Sequence, residues 1–370
     1  MTLTALSPDH DLDAVVTAAR ARASEVIPLG KLFVDAATQR PRFALGRNAQ
    51  SEELIRFGMI DGVVDDFVTL PATFRGVVVR RTSDLPADAI VVSCSTSIAP
   101  TNALRALTRA GCRHVLEFHE VVAAAKGRVV APWFVTQQEE SWATRRPDWR
   151  WLDDEMADDE SRRILREVLA FRITGRAEYT ARHEVRLDEQ YFEPFLGCRD
   201  EVFVDAGGFD GDTAEGFCRR YPDYRRVYLV EPSPGNLARA RTRLAGVRDI
   251  EYCNVAVSDA PGEMLFDAEA GPASAFRTDG SVRVKVSTID ALIEEPVTFI
   301  KMDLEGWEMR ALHGAMRHLR VDRPKLAIAV YHTANDFLDV ARFARTVHPD
   351  YRIFLRHYTQ GWSETIMYFV

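Results

Sequence analysis

Eleven residues, EVFVDAGGFDG at positions 201–211, constrain the fold of this 370-residue chain more than any other stretch. Val202, Phe203 and Val204 form the β-branched and aromatic run of an interior parallel strand, with Asp205 at its carboxyl end. Gly207, Gly208 and Gly211 then allow the backbone to turn tightly against a ligand. A second strand candidate, 227–230, ends in Glu231, 26 positions after Asp205. In an open α/β sheet ligands sit outside the carboxyl ends of the strands. An acidic side chain at the end of the second strand is placed to accept hydrogen bonds from a ribose diol.

The glycine spacing narrows the choice of ligand. A turn that cradles a pyrophosphate reads G-x-G-x-x-G, with helix-terminal amides facing the phosphates. Gly207, Gly208 and Gly211 depart from that spacing, and Asp210 and Asp212 put carboxylates where a diphosphate would come. Such charges repel a dinucleotide but tolerate a sulfonium nucleoside such as S-adenosylmethionine, whose cationic end Asp205 and its neighbours can face.

With these residues the second half of the chain resembles the FkbM-type S-adenosylmethionine-dependent methyltransferases. The resemblance rests on DAGGFDGDT (205–213), VEPSP (230–234), NVAVSD (254–259), VSTIDAL (286–292) and FIKMDLEGWEMRALHGA (299–315), the last being the most specific. The general class I pattern has glycines two, four and six positions after the acidic residue. Phe209 takes the middle place, as is usual for this family's variant. The resemblance implies a seven-stranded class I methyltransferase sheet with a final hairpin. It also implies S-adenosylmethionine bound by Asp205, Gly207, Gly208, Gly211, Glu231 and Asn254.

Periodicity alone supports a doubly wound α/β sheet in this half. Strand candidates fall at 202–205, 227–230, 250–252, 299–302, 326–330, 352–355 and 365–369, with helices at 213–220 and 236–244. A polar excursion at 258–286 reads as a hairpin, because 264–266 and 282–286 alternate as strands do. The expected organisation is a helical leader at 1–40, a smaller Rossmann-like α/β domain at 41–131, a tryptophan-rich helical linker at 132–195 and the methyltransferase domain at 196–370.

The first domain rests on strand candidates at 43–45, 62–64, 77–79, 90–93 and 114–118, with helices at 51–57 and 102–110. Gly46 after its first strand and Asp65, 19 positions on, fall near the positions of a dinucleotide site, but one glycine specifies a phosphate turn poorly. A structural, dimerising or substrate-presenting role is the preferred reading. Trp133, Trp142, Trp149 and Trp151 fall in the linker; they could form an aromatic platform for a substrate, although packing is preferred. Asp158 or Asp159 is expected to cap the helix that follows.

A net charge of −8 disfavours a nucleic-acid partner. The five cysteines show no metal-ligand or disulfide spacing, and most are expected to be small buried residues. MTLTALSPDHDLDAVV lacks a basic start followed by an apolar core, and no apolar run approaches ~20 residues. The expectations are a cytoplasmic protein with no membrane partner, a homodimer being compatible.

Methyl transfer to oxygen requires alignment of the acceptor and removal of one proton. His332, after the fifth strand, and Asp303 and Glu305, after the fourth, are the candidates for that proton. His332 or Asp303 is the favoured base, His332 because an ordinary histidine titrates at ~6.5. Lys301 could neutralise either carboxylate. Asp303, Glu305 and Asp290 could hold magnesium, but their spacing fits no ligand motif, and no metal is expected. The sequence thus reads as an S-adenosylmethionine-dependent O-methyltransferase acting on a hydroxyl of a sugar, glycan or secondary metabolite. Two alternatives stay open: a nucleotide-sugar-binding or dehydrogenase-like enzyme using the N-terminal sheet, and a cofactor-binding module without catalysis.

Overall fold

The computed structural model describes residues 11–266 and 282–370. The first ten residues of the expected leader and the middle of the expected excursion, 267–281, lie outside the described residues. The chain divides into two compact units, one of residues 11–153, 162–185 and 358–363, the other of 154–161, 186–357 and 364–370. Residues 132–195, read as a linker, are shared between the two.

The first unit is built on six short strands: β1 (Arg42–Leu45), β2 (Gly62–Val64), β3 (Thr73–Phe74), β4 (Val77–Arg80), β5 (Ile90–Ser93) and β6 (His114–Glu117). Their order is β3-β4-β2-β1-β5-β6, all parallel except β3. The antiparallel β3 is only two residues long and carries no periodic signal in the sequence. Ala44, Val63, Ile90, Val92 and Leu116 point into one core with Phe33 and Phe118, the near-continuous apolar pattern of strands covered on both faces. Asn48 caps the first crossover helix, Ala49–Arg56, in a reciprocal box with Ser51. Pro100 opens the next, Pro100–Arg109, where its missing N–H costs nothing. The leader forms a helix, Leu12–Ala23, whose Val15 and Ala19 pack on Ala170.

The linker tryptophans belong to this unit. Trp142 and Trp149 are buried, and the Trp149 indole N–H donates to Ser141 Oγ at 3.1 Å. Trp133 packs edge-on against Trp362 at 4.9 Å between ring centroids. The helix that carries the four linker residues, Trp133–Glu155, kinks at Arg145, just ahead of Pro147.

The second unit holds the longer sheet. Its strands are β7 (Val202–Ala206), β8 (Arg226–Val230), β9 (Ile250–Cys253), β10 (Ala256–Val257), β11 (Gly262–Phe266), β12 (Val282–Ser287), β13 (Phe299–Met302), β14 (Lys325–Ala329), β15 (Ile353–His357) and β16 (Thr365–Phe369). Seven of them form one sheet in the order β15-β16-β14-β13-β7-β8-β9, with β16 antiparallel to both neighbours and the rest parallel. The strand order reverses between β7 and β13, the switch point at which such sheets bind ligands. Every residue of β7, β13, β15 and β16 is buried. β11 and β12 pair antiparallel, and β10 adds a third strand parallel to β12. At the unit's other edge Asp158 Oδ1 accepts from Ser161 N at 2.7 Å, capping the helix Asp159–Thr174, and its carboxylate pairs with Arg356 at 2.8 Å. Among the described residues no helix is long and apolar enough to cross a membrane.

Candidate active site

A cleft of about 610 Å³ opens at the carboxyl ends of β7, β8, β13 and β14, within the range of small-molecule sites. Gly207, Phe209, Glu231, Asn236, Val255, Asp303, Glu305, Tyr331 and Glu364 line it, with Tyr191 from the segment before β7.

The turn after β7 brings main chain to the cleft wall. Gly207 has φ +79°, and a Cβ there would lie 2.0 Å from the Asp303 carbonyl oxygen, so only glycine fits between the two strand ends. Gly208 and Gly211 face away from the cleft: a Cβ on Gly208 would meet Leu229 at 2.6 Å, and one on Gly211 would meet Ala240 at 3.1 Å. Phe209 adopts φ +43°, so the backbone keeps a glycine-like conformation at this position although the residue carries a ring.

Asp205 is fully buried and does not line the cleft. Its register partner in β13 is Lys301, whose Nζ lies 3.1 Å from Asp205 Oδ1 and donates to the Gly207 carbonyl at 2.8 Å. Burial pushes the Asp205 carboxyl up and Lys301 pulls it down. On Lys301 burial opposes the charge, but Asp205 and then Asp303 outweigh it, and the ammonium is held above its ordinary range. Two expectations are thereby corrected. Asp205 clamps the turn through Lys301 rather than facing a ligand, and the first partner of Lys301 is Asp205 rather than Asp303 or Glu305. Asp210 also turns from the cleft, pairing with Arg243 at 2.8 Å, whereas Asp212 does line it.

Glu231 sits at the end of β8, 5% exposed, and its carboxylate is fixed by three donors. Oε1 accepts from Ser233 N at 2.8 Å and Asn236 Nδ2 at 3.1 Å; Oε2 accepts from Phe209 N at 3.1 Å. Burial raises its pKa and these bonds oppose the shift. Oε2 keeps capacity for a further donor on a residue that borders the cleft. Asn254 does not border it; its amide donates to the Glu231 and Pro232 carbonyls, both at 3.0 Å, holding the strand end in place.

The expected proton acceptors converge on the opposite wall. Asp303 Oδ2 accepts from Tyr191 Oη at 2.8 Å, and Tyr331 Oη lies 3.3 Å from both its oxygens. Glu305 adopts φ +54°, which swings its carboxylate back toward the strand ends. His332 Nε2 stands 3.4 Å from Asp303 Oδ1 and 3.5 Å from Glu305 Oε2, while its Nδ1 stands 3.2 Å from Glu308 Oε1. Burial opposes charge on the ring, but Glu308, Asp303 and Glu305 together push its pKa up to about 10. The ordinary histidine pKa that favoured His332 as base does not survive these surroundings, and the ring does not line the cleft. Burial raises Glu305 and Glu364 to about 7. Asp290 is remote from the group, its oxygens accepting from the Arg317 and His318 amides.

Tyr191, Tyr331, Glu308 and Glu364 are not among the site residues expected from the sequence. Glu308 lies inside the 299–315 motif and Tyr331 adjoins His332, so proximity was a usable signal for those two. Gln190 Nε2 joins Tyr191 Oη and Glu364 Oε2 at 3.1 and 2.9 Å, and only the fold brings that pair together.

The first unit's sheet has its own carboxyl-end crevice, and residues 358–363 fill it. Trp362 N donates to the Thr96 carbonyl at 3.1 Å and Gln360 N to the Ile98 carbonyl at 2.8 Å. The Asn102 amide, at the start of the helix Pro100–Arg109 where a phosphate would be bound, donates instead to Gln360 Oε1 at 3.1 Å. Asp65, the candidate ribose acceptor, pairs with Arg47 at 2.7 Å. A remaining void of about 10 Å³ beside Ser93 and Glu117 has room for one water.

The seven-stranded order, the final antiparallel strand and the cleft at the switch point define a methyltransferase-type α/β fold. Residues 205–359 match the family model described as the methyltransferase FkbM domain. Methyltransferase FkbM from Methylobacillus flagellatus KT, a crystal structure, is 25% identical over 99% of this chain and 100% of its own, with a TM-score of 0.78. Fibrillarin from Aeropyrum pernix, solved with natively bound S-adenosyl-L-methionine, is 15% identical over 50% of this chain and 71% of its own; its TM-score of 0.32 is too low to bear on this chain. None of the curated proteins matches the chain.

Proposed function

We propose that the chain is an S-adenosylmethionine-dependent O-methyltransferase acting on a hydroxyl of a small molecule or glycan. The observation that carries this reading is Glu231: a carboxylate at the end of the second strand of the sheet, anchored by three N–H donors, with acceptor capacity left on the cleft side. That is the placement expected of a ribose-binding acid. Phe209, Pro232 and Val255 give apolar walls to the same end of the cleft, suited to a nucleobase. Bound there, S-adenosylmethionine would supply an electrophilic methyl group on a sulfonium.

The chain's own residues would then align the acceptor and receive its proton. Asp303, Glu305 and Glu364 form an electronegative wall that accepts hydrogen bonds from a hydroxyl and stabilises positive charge nearby. Tyr191 and Tyr331 fix the Asp303 carboxylate, so the hydroxyl meets an acceptor already in place. The proton falls to a carboxylate that reaches the cleft, not to His332, whose ring nitrogens face Asp303, Glu305 and Glu308.

The filled crevice and the Arg47–Asp65 pair count against a nucleotide site on the N-terminal sheet, which leaves that unit a scaffold in this reading. Calorimetric titration with S-adenosylhomocysteine, beside NAD and a nucleotide sugar, tests it. Binding of the first alone supports the reading; binding of either other ligand alone overturns it.

A further inference from the structure

One ring nitrogen of His332 and one carboxylate oxygen each from Asp303 and Glu305 lie within 4.8 Å of one another. His332 is 92% buried by its 8% exposure, and neither ring nitrogen makes an aligned hydrogen bond. Nε2 instead faces Asp303 Oδ1 at 3.4 Å and Glu305 Oε2 at 3.5 Å. Neighbouring donors on an ion with bonds of about 2.1–2.3 Å sit about 3.0–3.3 Å apart, so the two separations from His332 Nε2 exceed those of donors closed on a cation by a few tenths of an ångström.

The far side of the ring is arranged for the same purpose. Nδ1 lies 3.2 Å from Glu308 Oε1, and that oxygen is held by the Leu304 amide at 2.6 Å. A carboxylate behind one ring nitrogen fixes the tautomer and presents the other nitrogen's lone pair, the arrangement that orients metal-binding imidazoles. Glu308, His332 and Asp336 also cluster, but Asp336 spends its oxygens on Thr333 N and Oγ1 at 2.6 and 2.7 Å at the start of the helix Asp336–Val347.

We infer that Asp303, Glu305 and His332 form a divalent-cation site for Mg²⁺ or Mn²⁺ at the acceptor side of the cleft, with Glu308 as the positioning carboxylate. The inference rests on the methyltransferase reading of that cleft. Two carboxylates balance a divalent charge, the ion displaces the proton that the surrounding carboxylates favour on His332, and oxygen ligands with one nitrogen suit these ions. Asp303 and Glu305 line the cleft, so the ion's remaining positions open onto it. A six-coordinate ion held by three side chains has three positions left, enough for two neighbouring oxygens of a diol or hydroxy acid and one water. Coordination would lower the pKa of the acceptor hydroxyl.

The test is a titration of the EDTA-treated full chain with Mn²⁺, free ion being read by electron paramagnetic resonance, with S-adenosylhomocysteine binding measured on the same protein before Mn²⁺ is added. The wild type should bind one Mn²⁺ per chain. Glu305→Gln and His332→Gln should weaken binding at least tenfold, and Glu308→Gln by about 10–100-fold, while an unchanged far-UV circular dichroism spectrum shows that each variant is folded. Absence of saturable Mn²⁺ binding, or binding unchanged in both Glu305→Gln and His332→Gln, overturns the site. Loss of S-adenosylhomocysteine binding by the wild type overturns the underlying reading separately, since that measurement is made without metal.

Discussion

Glu231 offers the sharpest perturbation of the proposed cofactor site. Glu231→Ala removes the acceptor of Phe209 N, Ser233 N and Asn236 Nδ2. Taking about 1 kcal/mol for each orphaned donor, the low end because the cleft admits water, the fold loses about 3 kcal/mol. A ribose hydroxyl would lose its one hydrogen bond to a charged group, worth about 1.5–3 kcal/mol, so S-adenosylhomocysteine should bind about 10–100-fold more weakly. Glu231→Gln separates the two effects. Its carbonyl can keep the Ser233 and Asn236 bonds, while its NH₂ meets the Phe209 N–H donor to donor. Stability should then fall by about 1 kcal/mol, and affinity should still fall at least tenfold. Calorimetric titration and urea unfolding of both variants read these quantities. A folded Glu231→Gln protein that binds S-adenosylhomocysteine as the wild type does would refute the assignment of Glu231.

Three further outcomes follow from the packing. Lys301→Met strands the Asp205 carboxylate without its partner and should cost about 3–5 kcal/mol in urea unfolding; the double variant with Asp205→Asn should recover part of that loss, and failure to do so would sever the pair. Gly361→Ala drives a Cβ to 1.9 Å from the Ser97 carbonyl and 2.3 Å from that of Thr96; the first unit should lose its protection in hydrogen exchange, and wild-type exchange at residues 96–102 would disprove the close fit. Burial raises the Glu117 pKa to about 7, against the Ala177 amide and Arg176, with Glu120 and Glu178 adding to the rise and His119 at 3.7 Å. An acid raised on folding is tolerated fully below its unfolded pKa of ~4.3 and destabilises as pH climbs through ~7, here by about 3 kcal/mol. The stability difference between wild type and Glu117→Gln should therefore grow in the variant's favour from pH 4.5 to 7.5, and a difference flat with pH would contradict the burial of that charge.

The seven strands of the longer sheet were legible because each is a short apolar run ending in a turn or a charged residue, and Asp205 and Glu231 mark two strand ends by chemistry alone. Side-chain partnerships were not legible. Asp205 meets Lys301 because β7 and β13 pair in a register that sets them side by side across 96 positions, and no local periodicity encodes that register. His332 was given an ordinary pKa because its neighbours Asp303, Glu305 and Glu308 arrive from a different strand end. The filling of the N-terminal crevice by Gln360 and Gly361 depends on residues more than 250 positions from Asn102. Phe209 shows the converse: the sequence departs from glycine, yet the backbone keeps the left-handed turn, because the Glu231 carboxylate fixes its N–H.

The most direct test of the central claim is one calorimetric titration of the intact wild-type chain with S-adenosylhomocysteine. Saturable binding at one molecule per chain, weakened about 10–100-fold by Glu231→Ala, is the predicted result. No saturable heat from a folded wild-type protein would contradict the assignment of the cleft between β7, β8 and β13.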